Sequence, residues 1–118
     1  MLKESVRSIR REHLNAEEMQ QRLMLTGERE ALSRLLEFAM HRHSHQASRV
    51  ANFLLAWWDP EKYGRFDLLE AWALDEVIRK DMVTVFDLVS HIASYPDTLG
   101  YKEQFLSLVR HHRPDVGA

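Results

Sequence analysis

Apolar residues recur along most of the chain at steps of three and four, the spacing that aligns them on one face of an α-helix. The clearest example follows Asp81, which is expected to cap the helix that begins there. The buried face of that helix is predicted to comprise Met82, Val85, Phe86, Val89, Ile92 and Ala93. No segment alternates apolar and polar residues with period two over the length of a strand. The pattern therefore predicts an all-α fold.

The most apolar segment, residues 46 to 58, is predicted to form the central helix of a compact bundle of about five or six helices. Its second half contains a single polar residue, Asn52. A helix that is apolar nearly all round must be covered on most of its sides, so Phe53 and Leu54 are assigned to the core. Asp59-Pro60 is expected to end the helix, because proline in a helix interior removes a backbone hydrogen bond.

Two adjacent tryptophans, Trp57 and Trp58, stand at the end of this Trp-rich central helix and point about 100° apart on it. Large aromatic side chains commonly anchor small cores, and both are interpreted as packing residues. Two adjacent large side chains cannot share one face of a helix. One of the tryptophans is therefore expected to reach the surface beside Tyr63.

A second helix is predicted before the central one. Thr26 is expected to cap its first amides, and Gly27 to take the left-handed conformation that ends the preceding helix. Either Ser44 or Ser48 would separate the second helix from the central helix. The buried face of the second helix is predicted to be Leu32, Leu35, Leu36 and Ala39.

Further helices are predicted beyond Asp59-Pro60. Asp67 followed three residues later by Glu70 has the spacing of a capping box. The helix that follows this box is expected to bury Leu68, Leu69, Trp72, Val77 and Ile78. Tyr95-Pro96-Asp97 is predicted to turn, because proline presets the backbone there. The last helix, which Pro114 ends, is expected to bury Tyr101, Phe105, Leu108 and Val109.

The first segment, residues 1 to 25, carries a narrow apolar stripe with heptad-like spacing, typical of a coiled-coil seam. It is read either as one continuous amphipathic helix or as two short helices that meet near Asn15. Exposed apolar rows are uncommon on monomers, so the stripe is a candidate for partner binding or for homodimerisation; the alternative is that it packs on its own domain. The candidate residues are Leu2, Val6, Ile9, His13, Ala16 and Leu23.

The length of 118 residues suits one domain with one core. The expected organisation is an N-terminal helix over residues 1–25, a helical core domain over 26–114 and a tail over 115–118. The chain contains no cysteine, and its longest apolar run, from Val50 to Trp58, is far shorter than the roughly 20 residues that span a bilayer. A cytoplasmic location is therefore expected, with no role at a membrane.

Three histidines, His41, His43 and His45, form the most conspicuous group of metal-ligand residue types. On one continuous helix, His41 and His45 would share a face with Glu37. That set lacks the glutamate of the zinc-protease helix and has no obvious fourth ligand. The histidines are interpreted as solvated side chains at a helix end, and no metal and no cofactor are expected.

No pattern of catalytic residues stands out in the chain. The serines lie within helical segments without a glycine-flanked elbow, and the four glycines are isolated from one another. The protein is therefore expected not to be an enzyme, with a metal-dependent enzyme as the most remote alternative. Arg42, His43 and Arg49 could contact phosphates, although the net charge of -2 supplies no field that attracts nucleic acid.

A resemblance to a known family is carried by residues 47–58 (ASRVANFLLAWW), together with Phe66-Asp67-Leu68, Trp72 and Tyr95-Pro96-Asp97. The sequence resembles a small domain family of unknown function encoded on plasmids and integrative elements of proteobacteria. The likeness covers roughly residues 31 to 114, and His45 stands where glycine is expected. That family has no assigned activity, so no functional residue carries over from it. The resemblance implies a mobile-element context, in which many small proteins bind and block host defences.

The expected function is a non-enzymatic macromolecular interaction module of a mobile genetic element. The implied role is inhibition of a host defence complex, in the manner of an anti-CRISPR protein, with an unidentified protein as the partner. The alternative is a dimeric nucleic-acid-binding accessory or regulatory protein. Salt dependence separates the two, because phosphate contacts weaken steeply as salt rises.

Overall fold

The computed structural model describes residues 23–41 and 44–116. Within these ranges the chain forms five α-helices and one 3₁₀ helix, and no strand. The elements are α1 (Thr26–His41), α2 (His45–Trp58), α3 (Pro60–Tyr63), the 3₁₀ helix (Leu68–Ala73), α4 (Glu76–Ile92) and α5 (Lys102–His112). The predicted all-α bundle is confirmed. Among the described residues, no helix is both long and apolar enough to span a bilayer.

Helix α1 lies at the centre of the packing, in contact with α2, α4 and α5. Its inward face is the predicted one. Apolar residues spaced three and four apart extend this face along the helix. The buried residues of this face are Ala31, Leu32, Leu35, Leu36 and Ala39. Helix α2, which was predicted to be the central helix, is instead the second major contributor to the core; it packs on α1, α3 and α5.

The start of α1 differs from the prediction. Leu25, not Thr26, is the residue before the helix, and its carbonyl accepts a hydrogen bond from the Arg29 amide at 3.0 Å. The Leu25 amide donates to Oε1 of Glu28 at 3.0 Å, so a carboxylate from the first turn reaches back to satisfy it. Thr26 and Gly27 lie inside α1, and the roles predicted for them, cap and left-handed terminus, are wrong.

Helix α2 begins after Ser44, whose Oγ accepts a hydrogen bond from the Ala47 amide at 3.1 Å. Of the two serines considered, Ser44 is therefore the cap. The buried face is Ala47, Val50, Ala51, Leu54 and Leu55. Phe53 is only partly buried, packed against the edge of this core.

Asp59 ends α2 as predicted and also caps α3, because its Oδ1 accepts a hydrogen bond from the Lys62 amide at 3.2 Å. Gly64 follows α3 with a φ of +104°, a conformation that residues with a Cβ rarely adopt. The stop at Asp59 lies where the sequence placed it. Asp59 and Gly64 turn the chain sharply between α2 and the segment that leads to the 3₁₀ helix.

The single helix predicted after Asp67 is in fact two elements, the 3₁₀ helix and α4. The capping box is confirmed: Oδ1 of Asp67 accepts from the Leu69 amide at 2.9 Å, and Oε2 of Glu70 accepts from the Asp67 amide at 3.2 Å. Of the five residues expected to be buried, only Ile78 is. The exposed ones are Leu68, Leu69, Trp72 and Val77.

Helix α4 begins after Asp75, so Asp81 lies in its second turn and does not cap it. Met82, Val85 and Ile92 are buried as predicted, and Val89 packs partly against the core. Phe86 is 64% exposed and Ala93 lies at the surface, contrary to the prediction. The centre of the face is Leu88, three residues from Val85 and four from Ile92, which turns Phe86 toward solvent.

The turn after α4 and helix α5 agree closely with the predictions from the sequence. At the Tyr95-Pro96-Asp97 turn, the Thr98 amide donates to the Tyr95 carbonyl at 3.1 Å. Helix α5 then buries Phe105, Leu108 and Val109 as predicted, whereas Tyr101, just before it, is half-buried. Trp57 and Trp58 both meet the Phe105 ring edge-on, each with a centroid separation of 5.9 Å, which confirms their role as packing residues.

Candidate functional site

The two most exposed large apolar side chains in the described part of the molecule, Trp72 and Leu68, lie on the 3₁₀ helix, and Leu69 is exposed beside them. Leu68 is 80% exposed, Leu69 56% and Trp72 82%. Side chains three residues apart eclipse each other in a 3₁₀ helix, so Leu69 and Trp72 project on the same side. These three residues are termed the apolar ridge. Single exposed apolar residues are common on protein surfaces, whereas large ones that lie close together are candidates for an interaction surface.

The residues just before and just after the ridge in the sequence pack against the core and attach the ridge to it. Phe66 precedes it and packs edge-on against Phe53, with ring centroids 5.4 Å apart. Leu74 follows the 3₁₀ helix and is buried in the main core. The segment is therefore attached by an inward residue before the ridge and another after it, and the three ridge residues between them face solvent.

Polar contacts from α2 fix both ends of the same segment. At the first end, Nδ2 of Asn52 donates to Oε1 of Glu70 at 2.9 Å, while the other oxygen of Glu70 completes the capping box. At the second end, the Asp75 amide donates to Oε1 of Gln46 at 2.9 Å, and Nε2 of Gln46 lies 3.4 Å from Oδ2 of Asp75. Two side chains of one rigid helix therefore set the orientation of the ridge.

Arg113, which caps the end of α5, supports this arrangement from the opposite side. Its Nη2 donates to Oδ1 of Asn52, and its Nε donates to the Tyr63 carbonyl at 3.0 Å. Asn52, the single polar residue in the apolar half of α2, thus joins Glu70 to Arg113. No buried polar side-chain atom of the described residues lacks a hydrogen-bond partner.

The structure describes only the end of the predicted N-terminal stripe. Leu23 is exposed at the surface before α1. The other five candidates, Leu2, Val6, Ile9, His13 and Ala16, lie outside the described residues. Of the alternative nucleic-acid set, Arg49 is half-exposed on α2, and Arg42 and His43 lie outside the described residues as well.

The histidines proposed to share one helix face do not lie on one helix. His41 is the last residue of α1 and His45 is the first of α2, with the Ser44 cap between them. The described ranges contain no group of three His, Asp or Glu residues placed to hold a metal ion. The premise of the metal hypothesis, a continuous helix through residue 45, is therefore wrong.

The ridge was expected in the core because a single helix was predicted to run from the Asp67 capping box through Ile78. One signal could have separated the ridge from α4. Asp75 is a residue type that favours the position before a helix, and it stands three residues after Trp72. Read as a new helix start, it divides residues 68–78 into two elements and removes the reason to bury Trp72.

Residues 29–113 match a family described as "Family of unknown function (DUF7673)". No curated protein and no solved structure matches the chain. The matched region includes the apolar ridge together with every side chain that anchors it, from Gln46 to Arg113. Because the match covers most of the chain, the protein belongs to the DUF7673 family of unknown function.

Proposed function

We propose that this protein is a non-enzymatic interaction module that binds a protein partner through the apolar ridge. The observation that carries the proposal is Trp72, 82% exposed on a segment held at both ends by side chains of α2. Tryptophan is among the residues most enriched at the energetic centres of protein interfaces. A side chain whose backbone is already fixed loses less conformational freedom on binding, which favours affinity.

Charge around the ridge specifies the chemistry of the partner. The segment from Asp67 to Glu76 carries four carboxylates, Asp67, Glu70, Asp75 and Glu76, and no lysine or arginine. Such a surface favours a protein that offers an apolar pocket for the indole ring and basic residues around it. The same carboxylates repel a phosphate backbone, so the ridge supports a protein partner over nucleic acid.

The finer part of the proposal is that the chain is encoded on a mobile genetic element and acts in the cytoplasm by blocking a host defence complex. Its support is the family resemblance in residues 47–58 and the aromatic and turn motifs that follow them. The absence of a catalytic pattern in the sequence supports a role in binding over one in chemistry. Inhibition by occupation of a surface requires only the ridge and a complementary pocket.

A crosslinking experiment in the native host tests the proposal. A photoreactive amino acid is placed at position 72 and, as a matched control, at position 86, because Phe86 is also an exposed aromatic residue. We expect a host protein to crosslink at position 72 and not at position 86. Circular dichroism of both variants checks that the helical fold is unchanged.

Calorimetric titration with the purified crosslinked protein then measures the contribution of the ridge. Trp72→Ala should weaken binding by about 30-fold, which corresponds to the ~2 kcal/mol of an interface hot spot, whereas Phe86→Ala should not change the affinity. Equal binding of wild type and Trp72→Ala would refute the proposal. Binding that weakens steeply as salt rises, together with competition by DNA for the same site, would instead support the nucleic-acid alternative.

A further inference from the structure

A cleft of about 580 Å³ opens where the end of α2 meets the turn that follows α4. This volume is within the roughly 300–1,000 Å³ typical of ligand sites. Three aromatic residues line it: Trp58, Tyr63 and Tyr95. The Trp58 and Tyr63 rings pack at a centroid separation of 5.2 Å. None of these residues belongs to the apolar ridge, so the cleft is a separate feature of the molecule.

The two walls of the cleft are joined by a hydrogen bond. Nε1 of Trp57 donates to the Ser94 carbonyl at 3.0 Å, which attaches the start of the turn to α2. Pro96 is buried within that turn, between Tyr95 on one side and Asp97 on the other. The other wall is α3, capped by the Asp59 carboxylate. The cleft is therefore part of the folded core rather than a gap between loose loops.

Carboxylates dominate the charge of the cleft. Asp59, Glu61 and Asp97 line it, against a single cation, Lys62. Asp59 is engaged as the α3 cap, whereas the carboxylates of Glu61 and Asp97 make no hydrogen bond or ion pair within the described residues. Two carboxylates thus line the cleft without a hydrogen bond or ion pair to another described residue, and the charged residues of the lining sum to a negative charge. Close to aromatic walls, they produce a potential that attracts a cation.

Tyr63 supplies an independent indication of a ligand. The residue is only 5% exposed, yet its hydroxyl has no hydrogen-bond partner among the described residues. No fully buried polar side-chain atom lacks a partner in this part of the chain, so the hydroxyl must retain contact with solvent. Tyr63 is one of the residues that line the cleft. An otherwise buried residue of the cleft wall therefore carries a hydroxyl that can both donate and accept a hydrogen bond and has no partner among the described residues.

Lys62 shows that the aromatic surface holds a cation. Its Nζ lies 5.3 Å from the centroid of the Tyr63 ring, within the range of a cation–π contact. The Lys62 side chain is exposed and forms no ion pair among the described residues, so no ion pair holds it over the ring. It occupies part of the position that an external cation would take.

We propose that this cleft binds an organic cation, an ammonium or guanidinium group carried on an aliphatic stem. The aromatic walls pack on the stem and face the charge, Glu61 and Asp97 neutralise it, and the Tyr63 hydroxyl accepts a hydrogen bond from it. An arginine or lysine side chain of a peptide and a free polyamine share this chemistry. The proposal does not depend on the function assigned to the apolar ridge.

The test is a titration of the ¹⁵N-labelled full chain, followed by amide resonances, with three probes. They are N-acetylarginine amide for a peptide side chain, spermidine for a free polyamine, and N-acetylcitrulline amide as the neutral isostere of arginine. We expect a cationic probe to shift the amides of residues 58–63 and 95–97 in a saturable manner, and citrulline to leave them unchanged. A stronger response to arginine identifies a peptide side chain as the source, and a stronger response to spermidine identifies a polyamine.

Variants assign the effect to the cleft. Asp97→Asn and Glu61→Gln should each lower the affinity for the cation by about two- to fivefold, the range of an exposed ion pair. Asp87→Asn, on the exposed side of α4, should leave the affinity unchanged. Lys62→Gln should tighten binding, because it removes the competing cation. Unchanged resonances at residues 58–63 and 95–97 with both cations, or equal shifts with citrulline, would overturn the proposal. Because the side chains of Asp97 and Glu61 make no hydrogen bond or ion pair among the described residues, both variants are expected to fold.

Discussion

Oε2 of Glu28 lies 2.8 Å from Nε2 of His91, a contact that joins the first turn of α1 to the last turn of α4. Glu28 is only 3% exposed, and its other oxygen accepts the Leu25 amide. One carboxylate therefore satisfies the start of a helix and connects two helices that are distant in sequence. Arg34 and Asp81 form a second contact between the same helices, with Nη2 and Oδ1 2.8 Å apart at the surface.

Replacement of Glu28 by alanine should destabilise the fold by about 1–3 kcal/mol, because it removes charged hydrogen bonds from a buried position. The measurement is the free energy of unfolding in urea. The control is Glu30→Ala, which removes an exposed glutamate from the same turn of α1 and should change that free energy by less than about 0.5 kcal/mol. Equal effects of the two variants would show that the contact with His91 contributes nothing.

A matched pair of leucines distinguishes the core from the apolar ridge. Leu54 is fully buried on α2, and Leu54→Ala should cost about 2–5 kcal/mol through lost packing and the cavity that remains. Leu68→Ala removes the same atoms from a side chain in solvent, so the free energy of unfolding in urea should stay within about 0.5 kcal/mol of wild type. A large loss for Leu68→Ala would mean that the ridge is covered in the free protein.

Tyr101 should make the stability depend on alkaline pH. Burial raises the pKa of the Tyr101 phenol above its ordinary value, with the nearby Arg29 acting in the opposite direction. The stabilising contribution is therefore fully present below pH ~10, the value of an unfolded tyrosine, and is lost as pH rises through the folded pKa. In Tyr101→Phe, the free energy of unfolding should fall less steeply with pH in the alkaline range than it does in wild type. Tyr95→Phe, at an exposed position, serves as the control. Identical slopes for wild type and Tyr101→Phe would contradict this assignment.

Deletion tests the predicted division between residues 1–25 and the core domain. Met24 is buried in the core and the Leu25 amide binds Glu28, so the informative deletion removes residues 1–22 and keeps both. That variant should remain helical and unfold cooperatively. Deletion of residues 1–25 should lower the melting temperature further, because it also removes a buried side chain. An unfolded Δ1–22 protein would assign the N-terminal stripe to the core.

In the full chain, the stripe itself is tested by Val6→Glu combined with Ile9→Glu. If the stripe binds a partner or a second copy, the double variant should lose that association and keep the helical spectrum of the wild type. Sedimentation velocity measures self-association. Loss of helical signal in the variant would indicate that residues 1–25 pack on their own domain.

Local signals in the sequence were sufficient for much of the fold. Leu32 and Leu36 lie on the face that their spacing predicts, and Asp67 and Glu70 form the predicted capping box. Each of these features depends on residues within one or two turns of each other. The all-α class follows from the same kind of signal repeated along the chain.

Two of the errors involve contacts between residues that are distant in sequence. Asp81 has the residue type of a helix cap, yet Arg34, 47 residues earlier, pairs with it in the interior of α4. Leu69 and Trp72 have a spacing of three, which suits an α-helical face and a 3₁₀ turn equally. Their exposure depends on Gln46 and Asn52, whose contacts across 29 and 18 residues no local pattern reveals.

The contact between Arg113 and Asn52 spans 61 residues and sets an order of events during synthesis. A ribosome delivers the ridge, its capping box and Asn52 long before it delivers Arg113. A nascent chain can thus display Leu68, Leu69 and Trp72 before the last hydrogen bond behind them can form. The partner binding proposed for the ridge should therefore become complete only with the end of α5. A protease that cuts just before Arg113 would leave every residue of the ridge in place and release the support behind it.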